Sequence, residues 1–160
     1  MEVEVFEANS GKNLPAFIET ATFSDVPKRK SSWNFDWMTL SKTEGSEIYK
    51  LSLKNSPKVT EGLIMLSLMN EEMLIMNNIE ISPHNYGSGG KHGFVAECLI
   101  SFACLKSFEI GRNAYLGYLT FESKSGLVTL YQEKYGAESA NGLRMFIPPE
   151  QGMELIKTYL

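Results

Sequence analysis

The sequence predicts an α+β protein, a central mixed sheet flanked by helices, and three observations carry that expectation. Apolar residues recur with period two in consecutive runs between residues 47 and 82, as they do in antiparallel strands. A glycine-rich stretch then opens Phe94 to Ile110, a segment apolar over most of its helical circumference, which must be buried against the sheet. Strand and helix patterns alternate from there to the end of the chain, so helices cover a sheet that gains a parallel neighbour.

Met1 to Glu7 alternates acidic and apolar residues and predicts a first strand with one wet face, ended by Asn9-Ser10-Gly11-Lys12-Asn13. From Leu14 to Thr43 the pattern is weak and predicts poorly defined helices, with Ser24-Asp25-Val26-Pro27 as a helix start. The run Lys28-Arg29-Lys30 is then a solvated helix face or a ligand clamp. Trp33, Phe35 and Trp37 stand on alternate positions. Tyr49, Leu51 and Leu53 share one side of a strand closed by Asn55-Ser56-Pro57, and Asn70-Glu71-Glu72 joins the runs Gly62 to Met69 and Met73 to Ser82 as a hairpin. Pro83 stops the third of these strands, and Gly87, Gly89, Gly90 and Gly93 lead to the buried helix, which Gly111 ends. A strand at Ala114 to Glu122, a helix at about Ser125 to Tyr135 stopped by Gly136, a strand around Leu143 to Ile147 and a helix at Pro149 to Leu160 complete the order.

A chain of 160 residues with 43% apolar side chains makes one domain, residues 1–160, whose core needs no disulfide or structural metal. Its net charge of −4 argues against wrapping nucleic acid or gripping anionic lipid, both of which need clustered cations. No nucleic-acid partner and no membrane partner are expected. Met1 to Val5 lacks the pattern of a secretion signal and no apolar run is long enough to span a bilayer, so a cytoplasmic protein is expected. Cys98 and Cys104 lie about 240° apart on the helix, too far to pair, and are expected as buried free thiols. His84 and His92 are the only histidines and lack the companion His, Cys or clustered carboxylates that a zinc site requires, so no metal is expected.

The chemistry centres on the strand ending Ile79-Glu80-Ile81-Ser82-Pro83, the glycine-rich loop and the start of the helix. A loop of this kind gathers backbone N–H groups at one point, where the helix dipole adds positive charge. It is a phosphate cradle or a plain turn. It is not a nucleotide P-loop, because no Gly-Lys-Ser/Thr ends it, and the dinucleotide spacing is absent.

From about Glu47 to Ile147 the order of elements, the Ser82-Pro83-His84-Asn85 corner, the buried helix and the stretch Leu130-Tyr131-Gln132-Glu133-Lys134-Tyr135-Gly136-Ala137 resemble a GCN5-related N-acetyltransferase (GNAT). The resemblance implies a co-substrate, acetyl-CoA, whose pantetheine arm runs beside Ile79, Glu80, Ile81 and Ser82. The family's pyrophosphate motif, Gln/Arg-x-x-Gly-x-Gly/Ala, falls on Lys91-His92-Gly93-Phe94-Val95-Ala96. Lys91, Gly93, Val95 and Ala96 are therefore the expected pyrophosphate contacts, with Phe94 standing where the family has glycine. Lys124 takes the position of a cofactor-side Asn, as a cofactor contact or as a solvated lysine.

The resemblance also gives Tyr131 the role of proton donor to departing coenzyme A, although Gly136 follows it by five residues where the family has four, and Tyr135 is the alternative. A phenol with a pKa near about 10 keeps its proton at neutral pH. The competing reading puts Tyr131 with Leu127 and Leu130 in the core. Glu80, a carboxylate in an otherwise apolar and amide-bearing strand, is the expected general base or else a solvent-facing residue. Trp33, Phe35 and Trp37 border the acceptor pocket, or pack in the core or a dimer.

The expected activity is direct acetyl transfer to a primary amine of a small molecule or peptide; the family often dimerises, and the sequence leaves open whether this chain is a monomer or a homodimer. The alternative is a catalytically weak or inactive acyl-CoA-binding or regulatory module, which Phe94 favours. Residues 1–80 hold eight basic and twelve acidic side chains, and residues 81–160 hold seven of each. The acidic first half favours a cationic acceptor.

Overall fold

In the computed structural model, which describes residues 1–160, nine strands form one sheet. In chain order they are β1 (Glu2–Glu7), β2 (Lys12–Thr20), β3 (Ser46–Leu53), β4 (Gly62–Met69), β5 (Met73–Ile81), β6 (His92–Gly93), β7 (Leu119–Glu122), β8 (Glu138–Asn141) and β9 (Arg144–Ile147). The helices are α1 (Trp37–Leu40), α2 (Val95–Ile110), α3 (Val128–Tyr135) and α4 (Pro149–Tyr159). Across the sheet the order is β6-β1-β2-β3-β4-β5-β7-β9-β8. Only β5 and β7 run parallel, joined by the crossover through α2. The expected meander β3-β4-β5 and its parallel neighbour are both present, so the mixed sheet with helices on its faces stands as the fold class.

Four stretches differ from expectation, one of them residues 114–118, where a 3-10 turn (Asn113–Tyr115) stands in place of the first half of the strand expected from Ala114 to Glu122. Residues 12–20 are a strand, pairing with β1 from Glu2↔Phe17 to Glu7↔Lys12. Ala16 and Ile18 point to the core, with Leu14 packed at its edge; Pro15, which usually marks an edge or a break in a strand, hid that period. Between Ala21 and Asp36 there is no helix, and Lys28-Arg29-Lys30 forms an exposed turn in which Ser31 N–H bonds the Lys28 carbonyl. β8 is an added edge strand whose four residues are all exposed, leaving no apolar period to read.

The sheet carries a core on each face. The larger one joins α2, α3 and α4 to the sheet through residues such as Val5, Leu51, Ile64, Leu74, Leu99, Phe121 and Ile147. Cys98 and Cys104 are free and buried within it. Gly62 lets α2 approach β4, since a Cβ there would sit 2.7 Å from Val95 Cγ1 and 2.9 Å from Leu99 Cδ1. On the opposite face Val26, Trp37, Ile48, Leu63 and Met65 form a smaller cluster under the segment 21–40. No helix is long and apolar enough to cross a membrane.

Candidate active site

β5 and β7 stay paired for only three residues, Leu74 with Leu119, Ile75 with Thr120 and Met76 with Phe121. Just beyond, the β4–β5 register slips at Met65/Leu66, with Asn77 as the extra residue. A bulge bends its strand and increases the local twist, so β5 parts from β7 and a cleft opens. The slip also exchanges the faces of the strand. Leu74 and Met76 lie in the larger core, whereas Glu80 sits opposite Leu63 and faces the smaller cluster.

Ser82 N–H donates to the Glu61 carbonyl at 2.7 Å. Hydrogen-bonded pairs alternate along an antiparallel ladder, so the main-chain groups of Ile79 and Ile81 point away from β4 and into the cleft. The cavity there, about 570 Å³, is lined by residues including Asn34, Phe35, Ile79, Glu80, Ile81, Tyr86, Ala96, Lys124, Tyr131 and Tyr135. A smaller one of about 120 Å³ adjoins it beside Asn78, Phe121 and Ser123.

Glu80 is 6% exposed, and its carboxylate accepts four hydrogen bonds. Oε2 accepts from Asn34 N–H at 2.6 Å and from the Tyr86 hydroxyl at 3.0 Å. Oε1 accepts from Phe35 N–H at 3.0 Å and from the Trp37 indole N–H at 3.1 Å. A carboxylate buried this far needs such partners, and here they fasten residues 34–37 to the sheet as one wall of the cleft. Trp37 is core, while Phe35, edge-on to it at 6.0 Å, borders the cleft. The Tyr86 hydroxyl accepts from Asn34 Nδ2 at 3.2 Å. Burial, together with the bond to Glu80, pushes its pKa up to about 12.

On the opposite wall α3 presents Tyr131, whose ring lies 4.6 Å from that of Phe121 and 5.8 Å from that of Tyr135. Burial alone raises its pKa, so the phenol is protonated at neutral pH. Tyr135 is more deeply buried, and burial followed by the Glu97 charge pushes its phenol higher still. Lys134 pairs with Glu97 and so links α3 to the first turn of α2. Lys124 Nζ lies 5.4 Å from the centroid of the Phe35 ring.

The loop after β5 is fastened by a polar cluster that the sequence does not announce. Glu61, only 2% exposed in its side chain, turns Oε2 toward His84 Nε2 at 2.6 Å, Asn85 Nδ2 at 2.8 Å and His92 Nδ1 at 3.0 Å. Burial would raise the Glu61 pKa, but the bonds from Asn85 and His84 and the influence of both histidines outweigh it and hold the carboxyl below its usual range. Ser82 Oγ lies 2.8 Å from His84 Nδ1, and Asn85 Oδ1 accepts His92 N–H at 3.0 Å.

Of the residues singled out in the sequence, Ile79, Glu80, Ile81, Ala96, Lys124 and Tyr131 come together on the cleft. Ser82 is buried with its hydroxyl on His84. Lys91 and Gly93 lie toward β1, where the Lys91 carbonyl accepts Ala8 N–H and Gly93 pairs with Phe6. The Val95 side chain is buried over Gly62. Phe94 adopts φ 68°, the left-handed backbone that glycine favours. Its ring lies 6.2 Å from Phe6 and 5.9 Å from Tyr159, beside a separate cavity that includes Glu2 and Leu160. Sequence reasoning missed Asn34 and Tyr86; an aromatic residue between Pro83 and Gly87 was the available signal for the second.

No protein-family model and no curated protein matches the chain. Solved structures do. A GNAT family acetyltransferase from Elizabethkingia anophelis with acetyl-CoA bound is 16% identical, with 79% of this chain and 78% of that one covered and a TM-score of 0.56. AtaT complexed with acetyl-methionyl-tRNAfMet is 13% identical, with 89% and 99% covered and a TM-score of 0.58. The AtaT–AtaR complex bound to DNA is 16% identical, with 87% and 98% covered and a TM-score of 0.61. These complexes overturn the expectation of a small-molecule or peptide acceptor with no nucleic acid. Net charge was the wrong quantity for that exclusion, because recognition depends on where the cations sit. The split between β5 and β7, the loop leading into α2 and these likenesses together give the chain the fold of the GCN5-related N-acetyltransferases.

Proposed function

We propose that this chain is an acetyl-CoA-dependent N-acetyltransferase whose acceptor is an amine carried on a nucleic acid, the aminoacyl end of a tRNA. The observation that carries the transferase reading is the cleft itself, with the free main-chain groups of Ile79 and Ile81 on one side and the Tyr131 phenol on the other. Acetyl-CoA supplies the activated acetyl group. The main chain of Ile79 and Ile81 binds and orients it, with an N–H available to polarise the thioester carbonyl. Ala96 and the start of α2 receive the pyrophosphate side, and Lys124 adds a cation at the rim. Tyr131 donates its proton to the departing thiol sulfur.

All the acceptor sites of Glu80 are taken by donors, so a proton reaches it through the one donor that is a hydroxyl on the cleft. The acceptor amine passes its proton to the Tyr86 oxygen as the Tyr86 proton moves to Glu80 Oε2. Phe94 supported the alternative of an inactive acyl-CoA-binding module; its ring lies on another cavity, and that support falls away.

Two observations favour the acceptor class. AtaT, of similar fold, is complexed with an acetylated aminoacyl-tRNA. Here Lys28 and Lys30 are exposed, form no ion pair, and sit in the loop that leads into the Asn34–Phe35 wall. The test is incubation with radiolabelled acetyl-CoA and total aminoacyl-tRNA. Label on the aminoacyl group, reduced by Lys28→Ala with Lys30→Ala and by added salt, is the expected result. Transfer to free amines with none to tRNA would overturn the acceptor class, and absence of transfer to any amine would overturn the activity.

A further inference from the structure

We propose that Glu61, His84 and His92 form a zinc site that ties together the two ends of the loop between β5 and α2. The three residues come from separate places, just before β4, the turn after β5, and β6. Their ligand atoms nevertheless lie within 4.8 Å of one another. Two imidazole nitrogens and one carboxylate oxygen are a zinc ligand set, and imidazole selects against magnesium and calcium.

A tetrahedral ion with bonds of about 2.0–2.2 Å holds its ligand atoms about 3.3–3.5 Å apart. His84 Nε2 and His92 Nδ1 now lie 2.6 and 3.0 Å from Glu61 Oε2. Each of these pairs has to open by less than about 1 Å, and the two ring nitrogens, within 4.8 Å of each other, have to settle to the same spacing, through small rotations of the half-buried His84 ring and the largely buried His92 ring. Each ring nitrogen facing Glu61 must present its lone pair, so the neutral rings carry their proton on the other nitrogen. For His84 that nitrogen is Nδ1, and Ser82 Oγ, 2.8 Å away, accepts its proton in a hydrogen bond. Asn85 Nδ2 holds the Glu61 carboxylate from a further side. Such supporting bonds orient ligands in metal sites. The His84 side chain is 31% exposed, which leaves a solvent side for a water as the fourth ligand.

The site differs from the cleft. None of the three residues lines the cavity between β5 and β7, so the metal acts on the loop and not on the reacting groups. With the ion bound, His84 and His92 are held to Glu61, and the loop that carries Gly87 past the cleft is closed at both ends.

Untagged protein, stripped with a chelator and dialysed against micromolar zinc sulfate, tests this without acetyl-CoA, so its outcome is separate from that of the transferase reading. One zinc retained per chain is expected, and cobalt(II) in its place should give the intense visible absorption of a tetrahedral site. Ser82→Ala should weaken zinc binding by about 10- to 100-fold, and His84→Ala by more. His84 is partly exposed, so that variant folds even if Glu61→Gln does not, and its melting curve without metal verifies this. No retained zinc, or equal retention by folded His84→Ala, overturns the site.

Discussion

The Tyr131 phenol is tilted against the Phe121 ring and raised in pKa by burial alone, and in the proposed reaction it protonates the departing thiolate. Tyr131→Phe is expected to lower kcat by about 10²- to 10⁴-fold while leaving acetyl-CoA affinity unchanged; an equal loss of affinity with kcat intact would make Tyr131 only part of the wall. Phe94 is the second residue that decides something. A left-handed backbone costs a non-glycine residue about 1–2 kcal/mol, and its ring faces Phe6 and Tyr159, off the cleft. Phe94→Gly should therefore leave the acetyl-CoA dissociation constant, measured by calorimetry, where it is. A marked gain in affinity would mean that the ring obstructs the cofactor. Glu80 and Tyr131 were legible as cleft residues, the first as a carboxylate in an apolar, amide-bearing strand and the second from the stretch that carries the family resemblance. Glu61 was not, since it lies 23 residues before His84 and 31 before His92, and it takes the β4–β5 hairpin and the pairing of β6 with β1 to bring them together.

Among the elements, the bulge at Asn77 does most to make the site. It turns Glu80 toward the wall of residues 34–37, and pairing with β7 ends at the preceding residue. The period of two in β3, β4 and β5 was readable in the sequence, but a one-residue slip within a strand leaves that period almost intact and so hides itself. Residues 12–20 were misread because Pro15 interrupts the run of Leu14, Ala16 and Ile18. Residues 21–36 were misread because their order comes from side chains elsewhere, Glu80 above all and also Lys50, whose ammonium holds Asp25 at 2.7 Å. The packing of α2 on β4 depends on Gly62. Gly62→Ala should cost about 1–3 kcal/mol in urea unfolding, and a neutral effect would contradict that close approach.

For the whole molecule, the proposed tRNA acceptor rests not on the −4 net charge but on the exposed Lys28 and Lys30 in the loop that leads to Asn34 and Phe35. Charge also sets the acid limit of the fold. Burial would raise the Asp25 carboxyl, but Lys50 and the Thr22 backbone and hydroxyl outweigh it and lower its pKa from 3.8. A carboxyl lowered on folding adds stability above its unfolded pKa and loses it as pH falls through the folded value. Urea unfolding of the wild type should therefore show stability falling below about pH 4, and Asp25→Asn, less stable at neutral pH, should show a shallower fall. The same slope in both would remove Asp25 from the account.

The central claim is that the gap between β5 and β7 holds acetyl-CoA. Amide hydrogen exchange with and without acetyl-CoA tests it most directly, because the main chain of Ile79 and Ile81 is free of β7. Protection concentrated at residues 77–82, at the start of α2 and around Tyr131 is the predicted result. Unchanged exchange in those segments at millimolar acetyl-CoA would contradict it.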